Sequence, residues 1–204
     1  MNANQHTKHV DVRQHILDTA KPIILGRGFS AVGLNQILSA ADVPKGSFYH
    51  YFKSKELFGE ALLDSYFSDY LARLDQLLSQ PGSSAAQSLV RYWGGWLETQ
   101  CDDELDGKCL VVKLGGEVSD LSEAMRLALQ RGTDSIVTRL AECIRDALAE
   151  GSLRGVIDAE HTAETLYALW LGATLLTKMR HDRSALEGAM AATLVLLNLP
   201  DQAR

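Results

Sequence analysis

The stretch LNQILSAADVPKGSFYHYFKSK, residues 34–55, decides how the chain is organised. Apolar residues recur at helical spacing in its first half, the sequence Asp-Val-Pro at 42–44 interrupts them, and Phe48 and Phe52 resume the pattern four residues apart. Proline is tolerated at or just before the first helical turn, because the N–H it lacks has no intrahelical partner there. The pattern therefore predicts two short helices joined by a tight turn, the second of them over residues 45–52.

The outward face of this second helix carries donors and flat rings but no acidic residue, if Phe48 and Phe52 are turned toward the core. Such a face suits hydrogen bonds to phosphates and to base edges in the major groove of DNA. The pattern is that of a helix-turn-helix. Its predicted DNA contacts are Lys45, Gly46, Ser47, Tyr49, His50 and Tyr51.

The distribution of charge agrees with a DNA-binding end, although the whole chain has a formal net charge of −6. Residues 1–60 hold seven Lys and Arg against five Asp and Glu, whereas the remaining 144 residues carry a net charge of −8. A mildly basic head on an acidic body is typical of a protein that presents one end to nucleic acid.

The composition of the 204 residues predicts a globular, nearly all-helical protein, with 46% hydrophobic residues and only four prolines. No apolar run approaches the ~20 residues of a membrane span. The first twelve residues lack the apolar centre of a signal peptide. We therefore expect a cytoplasmic protein without membrane contact.

Helical spacing extends over most of the chain outside the helix-turn-helix. The first of the two C-terminal helices carries an apolar stripe too wide for packing on one side, and the second mixes small and branched residues. Ordinary core packing accounts for either stripe alone, but both together favour a two-fold four-helix interface between two copies of the chain. Residues 1–10 are polar, and we expect a mobile arm that either touches the minor groove or has no role. The predicted helices cover residues 11–27, ended by Gly28 and interrupted by Pro22, then 55–78 with Ser54 as N-cap, 85–101, 119–150, 159–180 and 184–199.

Lys55 lies in the first turn of the predicted helix over residues 55–78, where the helix dipole disfavours a positive charge. A DNA phosphate beside Lys55 would account for it. A lysine that is merely solvated is the alternative.

These motifs resemble the DNA-binding domain of the TetR family of bacterial repressors. The resemblance implies an all-α fold: a three-helix DNA-binding domain over residues 1–53 and a helical sensing and dimerisation domain over 54–204. It further implies a homodimer formed by the last two helices, double-stranded operator DNA as the partner, no enzyme activity, and neither cofactor nor metal. The residues that carry it are Gly28-Phe29, Ile37, Ala41, Val43, Lys45-Gly46-Ser47-Phe48-Tyr49, Phe52 and Lys55-Glu56-Leu57.

Two positions depart from the family pattern. Val32-Gly33 replaces a pair of threonines, so a hydroxyl able to touch phosphate is missing, although Gly33 still suits a helix N-cap. Tyr51 stands where the family usually has histidine.

The three cysteines, Cys101, Cys109 and Cys143, show no metal-ligand spacing. Cys109 lies near a predicted helix start between Lys108 and Lys113, a setting that lowers the pKa of a thiol and favours its reaction with oxidants or electrophiles. A free cysteine that only packs in the core is the alternative. The spacing leaves a Cys101–Cys109 disulfide undecided, and Cys143 is predicted to be core.

Around Cys109 the chain resembles a branch of the TetR family that is associated with reactive electrophiles and chlorine oxidants. The similar stretches are residues 107–122 and 167–173. In that branch a cysteine at the position of Cys109 is the sensor, and Lys178 matches a lysine that approaches its thiolate. The resemblance therefore implies Cys109 and Lys178 as a sensor pair.

Two other functions stay open. A repressor of the same type could instead bind a reversible ligand in an aromatic pocket, with Cys109 as a bystander. A thiol enzyme using Cys109 would need a general base, and the sequence places neither His161 nor His181 beside it. The pocket residues would be Trp93, Trp96, Tyr167 and Trp170.

Overall fold

Nine helices follow one another in the part of the chain that the computed structural model describes. That part comprises residues 3–101, 109–156 and 158–200, with side chains from residue 12 onward and not at 101. No β-strand occurs within these ranges, and the all-α prediction is confirmed. The helices are α1 (Ala3–Arg27), α2 (Leu34–Ala41), α3 (Lys45–Phe52), α4 (Lys55–Leu78), α5 (Ala85–Cys101), α6 (Leu110–Val118), α7 (Glu123–Ala149), α8 (Ala159–Arg180) and α9 (Ser184–Leu196).

The bounds of α3, α4, α5 and α8 agree with the predicted ones. Helix α1 begins at Ala3, so residues 3–10 of the predicted arm are helical and the predicted helix start at residue 11 is wrong; the helix continues through Pro22. Helix α7 begins at Glu123 and not at the predicted residue 119. The Ser122 hydroxyl accepts a hydrogen bond from the Met125 N–H at 3.3 Å and so caps the N-terminus of α7. For α6 only a helix start near Cys109 was predicted and no bounds, since its Gly115-Gly116 pair reads as a break.

Helix α9 ends at Leu196, three residues before the predicted end. Asn198 has a φ of 52°, in the left-handed region that ends helices, and the Leu199 N–H turns back to the carbonyl of Leu194 at 2.8 Å. No helix in the described part of the chain has the length and apolar character needed to span a bilayer.

The chain divides into two compact units. The first comprises residues 1–68 and 108–132, and the second residues 69–107 and 133–204. The division falls within α4 and within α7. Helix α6 therefore belongs to the same unit as the helix-turn-helix.

An aromatic contact builds the core of the first unit around α3. Phe48 and Phe52 are buried and pack against Phe58 of α4, with ring centroids 5.3 and 5.1 Å away. Asp42 adopts a left-handed conformation (φ 51°) that ends α2, and Pro44 is the N-cap of α3 with a φ of −65°. The tight turn predicted from residues 42–44 is confirmed.

Paired indoles and threonines connect the helices of the second unit. The indole N–H of Trp96 in α5 donates to the hydroxyl of Thr174 in α8 at 2.9 Å, and that of Trp170 in α8 donates to Thr193 in α9 at 2.9 Å. Both hydroxyls donate in turn to a backbone carbonyl one turn earlier. These buried polar groups are satisfied inside the protein, so they fix the register of the three helices.

Gly132 tests the packing of the first unit. A Cβ at Gly132 would overlap the ring of Phe67, and overpacking of this kind costs about 1–3 kcal/mol. The higher helix propensity of alanine offsets only about 1 kcal/mol of this cost. We therefore expect Gly132→Ala to lower the free energy of unfolding measured in urea. The matched control is Gly94→Ala in α5, where nothing lies within 4 Å of the new Cβ. Its free energy of unfolding should stay unchanged or rise, and equal effects of the two changes would contradict the packing described here.

Candidate nucleic-acid interface

Helix α3 presents the predicted DNA-binding face. Lys45, Gly46, Tyr49 and His50 are exposed, with 44% of Tyr49 accessible, whereas Phe48 and Phe52 are buried. Ser47 and Tyr51 are half-buried. The structure thus brings all six residues together on a helix of eight residues that contains no acid.

The exposed residues of α3 differ in what they offer to DNA. The Lys45 ammonium lies 5.8 Å from the centre of the Tyr49 ring, and the His50 ring meets that of Tyr51 edge to face at 5.1 Å. No heavy atom lies within 4 Å of a Cβ built on Gly46. Gly46 therefore leaves its backbone open to close approach by a phosphate, while the side chains around it supply cation, hydroxyl and imidazole donors.

Lys55 has a partner inside the protein. Its ammonium donates to the carbonyl oxygen of Phe29 at 2.9 Å and lies 4.7 Å from the centre of the Phe29 ring. This contact explains a cation at the start of α4 without DNA, and Lys55 is not merely solvated. An ammonium has three N–H donors, so a phosphate contact by Lys55 stays a prediction.

Cys109 is the N-cap of α6 and is half-buried. Burial raises the pKa of its thiol, and the N–H groups of Val112 and Val111 and the Tyr66 side chain oppose the rise without cancelling it. The predicted lowering of this pKa is therefore wrong: the helix N-terminus is present, but the loss of water outweighs it. Of the two lysines expected to assist, Lys113 donates to the carbonyl of Gly26 at 3.2 Å, and Lys108 lies outside the described residues, as does Gly107.

The other two cysteines contribute less. Cys143 is buried, as predicted. Burial, together with the charges of Asp146 and Glu150, raises the pKa of its thiol to about 12. The Cys101 side chain lies outside the described residues, and with it the Cys101–Cys109 pairing. Among the described residues, no group of His, Cys, Asp and Glu is arranged to hold a metal ion.

The four predicted pocket residues do come together, in the second unit. Trp93 stacks on Trp170 with centroids 5.0 Å apart, and Trp96 lies 5.6 Å from Trp93 and 5.9 Å from Tyr167. All four side chains are buried. The indole N–H of Trp93 is buried without a hydrogen-bond partner. Lys178 is exposed in the last turn of α8, in the same unit.

One contact of the first unit was not predicted as part of a site. Both carboxylate oxygens of Glu117, near the end of α6, accept hydrogen bonds from the loop between α1 and α2. Gly28, with a φ of +89°, was the local signal that this loop turns sharply. The partner lies 87 residues away from Ser30 in sequence, so no local pattern could have identified it.

Comparison with known proteins finds a matching family model for the N-terminal part and another for the C-terminal part of the chain. Residues 16–62 match the model for bacterial regulatory proteins of the tetR family, and residues 85–193 match the model for a tetracyclin repressor-like C-terminal domain. The chain is 38% identical to the HTH-type transcriptional repressor NemR of Escherichia coli, over 97% of this chain and 98% of NemR. It is 34% identical to the transcriptional repressor DhaR of a Mycobacterium species, over 86% of this chain and 87% of DhaR.

Solved structures agree with these matches. A crystal structure of E. coli NemR in its reduced form superposes with a TM-score of 0.87 at 38% identity, covering 93% of this chain and 98% of NemR. The regulatory protein TetR of Rhodobacter sphaeroides superposes with a TM-score of 0.76 at 30% identity, covering 90% and 97%. These proteins are regulators of transcription, and the hypothesis that the chain is a thiol enzyme is therefore rejected. The chain belongs to the TetR family and is a transcriptional repressor similar to NemR.

Proposed function

We propose that this repressor binds double-stranded operator DNA as a homodimer and releases it when an oxidant or electrophile modifies Cys109. The observation that carries the proposal is the position of Cys109 as N-cap of α6, within the compact unit that holds the helix-turn-helix. A group added to this half-buried sulfur needs space that the packed residues occupy. Modification therefore favours a different position of α6, and with it a population that no longer fits the operator.

The DNA contacts follow from the exposed face of α3. Lys45 and Lys55 bind phosphates, and Gly46 lets the DNA backbone come close. Base edges in the major groove are read by Ser47, Tyr49, His50 and Tyr51. In this proposal residues 1–53 form the DNA-binding domain, assisted by Lys55 just after it, and residues 54–204 sense the signal and form the dimer.

Exposed apolar residues on the last two helices support the dimer. Leu175 and Met179 of α8 are 47% and 62% accessible, and Val195 of α9 is 78% accessible. Gly172, one turn before Leu175 and two turns before Met179, adds a small residue to the same stripe. A second copy of the chain would cover this surface, and the two-fold symmetry would present two recognition helices to successive major grooves, ~34 Å apart.

The reacting species at Cys109 is the thiolate fraction of a thiol whose pKa burial raises, so most of the thiol is protonated at neutral pH. With an electrophile such as a quinone or an α,β-unsaturated carbonyl, the thiol first loses its proton and the sulfur then forms a bond to a carbon of the reagent. The reagent takes up one proton, so the addition is balanced without an oxidant. Lys178 joins the proposal through the family resemblance, as an ammonium that would favour the thiolate. The reduced state of the similar NemR structure supports a redox-active signal of this class.

A reversible ligand in the second unit is the second candidate. The unpartnered indole N–H of Trp93, buried beside Trp170, favours it, since a buried donor without an acceptor is costly. A ligand with an acceptor oxygen would satisfy that donor. In this case operator release would not require Cys109.

Lys45 tests the DNA-binding face. Lys45→Ala should weaken binding to all DNA fragments alike, because a phosphate contact carries no sequence information. The slope of log affinity against log salt should decrease by about one per recognition helix. We would measure binding to DNA from upstream of the repressor's own gene and to an unrelated fragment between about 50 and 200 mM salt. Arg73→Ala, which removes an exposed cation of the second unit, should leave the slope unchanged. An unaltered slope for Lys45→Ala would exclude the contact.

Cys109→Ser separates the two candidates. After treatment with N-ethylmaleimide or hypochlorite, wild type should lose operator binding in proportion to the Cys109 adduct measured by mass spectrometry, and Cys109→Ser should keep binding. Cys143→Ser is the matched control, because the Cys143 thiol is buried with a pKa raised to about 12 and should stay unmodified. Release by Cys109→Ser as readily as by wild type would transfer the sensing role to another thiol or to the aromatic residues.

The raised pKa of Cys109 predicts a pH dependence. A thiol whose pKa lies above its ordinary value is mostly protonated at pH 7, and its thiolate fraction grows about tenfold per pH unit. The rate of iodoacetamide labelling at Cys109, followed by peptide mass spectrometry, should therefore rise without a plateau from pH 7 to 9. In denaturant the same thiol should level off near its ordinary pKa of about 8.5. A plateau below pH 8 in the native protein would mean that the pKa is lowered.

A further inference from the structure

The loop between α1 and α2 binds a carboxylate from a distant part of the chain. Glu117 Oε2 accepts a hydrogen bond from the Phe29 N–H at 3.1 Å, and Oε1 accepts one from the Ser30 N–H at 2.5 Å. Each oxygen thus takes one of two successive N–H groups that no helix uses. Such charge-assisted bonds are about twice as strong as neutral ones.

Gly28 makes this contact sterically feasible. Its φ of +89° turns the chain out of α1, and its N–H closes that helix on the carbonyl of Ile24 at 2.7 Å. A Cβ on Gly28 would lie 2.9 Å from Glu117 Oε2. Glycine is therefore required both by the left-handed backbone and by the closeness of the carboxylate.

The carboxylate is ionised at neutral pH. Partial burial by itself raises the pKa of Glu117, but the hydroxyl and N–H of Ser30, the N–H of Phe29 and the charge of Lys113 together bring it below the ordinary value. The interaction is therefore present throughout the physiological range.

Two lysines complete what we call the loop clamp, the side chains of Lys55, Lys113 and Glu117 around the backbone of residues 26–30. Lys113, one turn before Glu117 on α6, donates to the carbonyl of Gly26 at the end of α1, where a cation is favoured by the helix dipole. Lys55 of α4 donates to the carbonyl of Phe29. The loop that leads into the helix-turn-helix is thus held by α6 and α4.

Helix α6 connects the clamp with Cys109. Its nine residues begin directly after Cys109 and include both Lys113 and Glu117. The sulfur-bearing residue and Glu117 are separated by a rise of about 12 Å along one helix. Leu110, Leu114 and Val118 are fully buried along one side of it, so packing holds the helix from its first residue to its last.

We infer that Glu117 is the positioning residue through which α6 controls the helix-turn-helix. The inference rests on the proposed function for its signal at Cys109. In the unmodified protein the carboxylate holds the α1–α2 loop where α2 and α3 fit the operator. A displacement of α6 by an adduct on Cys109 pulls or releases this loop, because the carboxylate bonds to two backbone N–H groups, which cannot rotate away as a side chain can.

The experiment compares wild type, Glu117→Gln and Asp120→Asn, each with and without a maleimide adduct on Cys109. Gln keeps the size of Glu but turns an amide NH₂ toward a backbone N–H, so one of the two bonds is lost. Asp120→Asn removes the same charge from an exposed residue just after α6. The measured quantity is the ratio of operator Kd with and without the adduct, together with hydrogen exchange of the Phe29 and Ser30 amides in the unmodified proteins.

We expect a Kd ratio of at least about 10 for wild type and for Asp120→Asn, within the usual range of allosteric coupling. For Glu117→Gln we expect a ratio reduced by at least about threefold, faster exchange at the two amides, and weaker operator binding before modification. A residue with a merely structural role would change the unmodified Kd but not the ratio.

The outcomes distinguish the two proposals. A large ratio that is equal in wild type and Glu117→Gln would overturn the role of Glu117 and leave Cys109 as the sensor. A wild-type ratio near one would overturn sensing by Cys109, and with it the transmission of that signal through Glu117. In that case faster amide exchange and weaker operator binding in Glu117→Gln would still support positioning of the loop, and unchanged values of both would overturn it.

Discussion

The packing of Phe48 and Phe52 against Phe58 holds α3 in place, and the DNA-binding face depends on it. A helix of eight residues is too short to be stable in water alone, where about 12–15 residues are already marginal. The aromatic contact supplies the missing stability and also fixes which side of α3 is turned outward. The same two side chains therefore decide both whether the recognition helix forms and what it presents to DNA.

A second set of interactions, polar instead of apolar, fixes the loop that leads into this module. Two N–H groups and two carbonyls of residues 26–30 bond to charged side chains of α4 and α6. Apolar contacts tolerate small shifts, whereas hydrogen bonds to a charged group weaken steeply with distance and angle. The proposed release of operator DNA would use this combination, in which apolar packing holds the helices and the charged hydrogen bonds of the loop respond to small displacements.

Sequence patterns predicted the helices and turns that are determined by interactions between residues close together in the chain. Asp-Val-Pro at 42–44 and the spacing of Phe48 and Phe52 specified the helix-turn-helix, because caps and periodicity act within a few residues. The pKa of Cys109 was predicted in the wrong direction, since the helix N-terminus is a local signal and burial is a tertiary one. The bond between Ser30 and Glu117 was not predictable either, and Cys109 and Lys178 became candidates as a pair only through family resemblance.

The grouping of the indoles has a practical meaning for optical work on this repressor. The chain has three tryptophans, and all of them lie in the aromatic cluster of the second unit, with Trp93 and Trp170 stacked at 5.0 Å. Intrinsic fluorescence therefore reports on α5 and α8 and contains no tryptophan signal from the helix-turn-helix. With selective excitation of tryptophan and correction for absorption by DNA, a change in that emission on addition of operator DNA would report a change around these indoles, which makes the natural chromophores a label-free probe of the second unit.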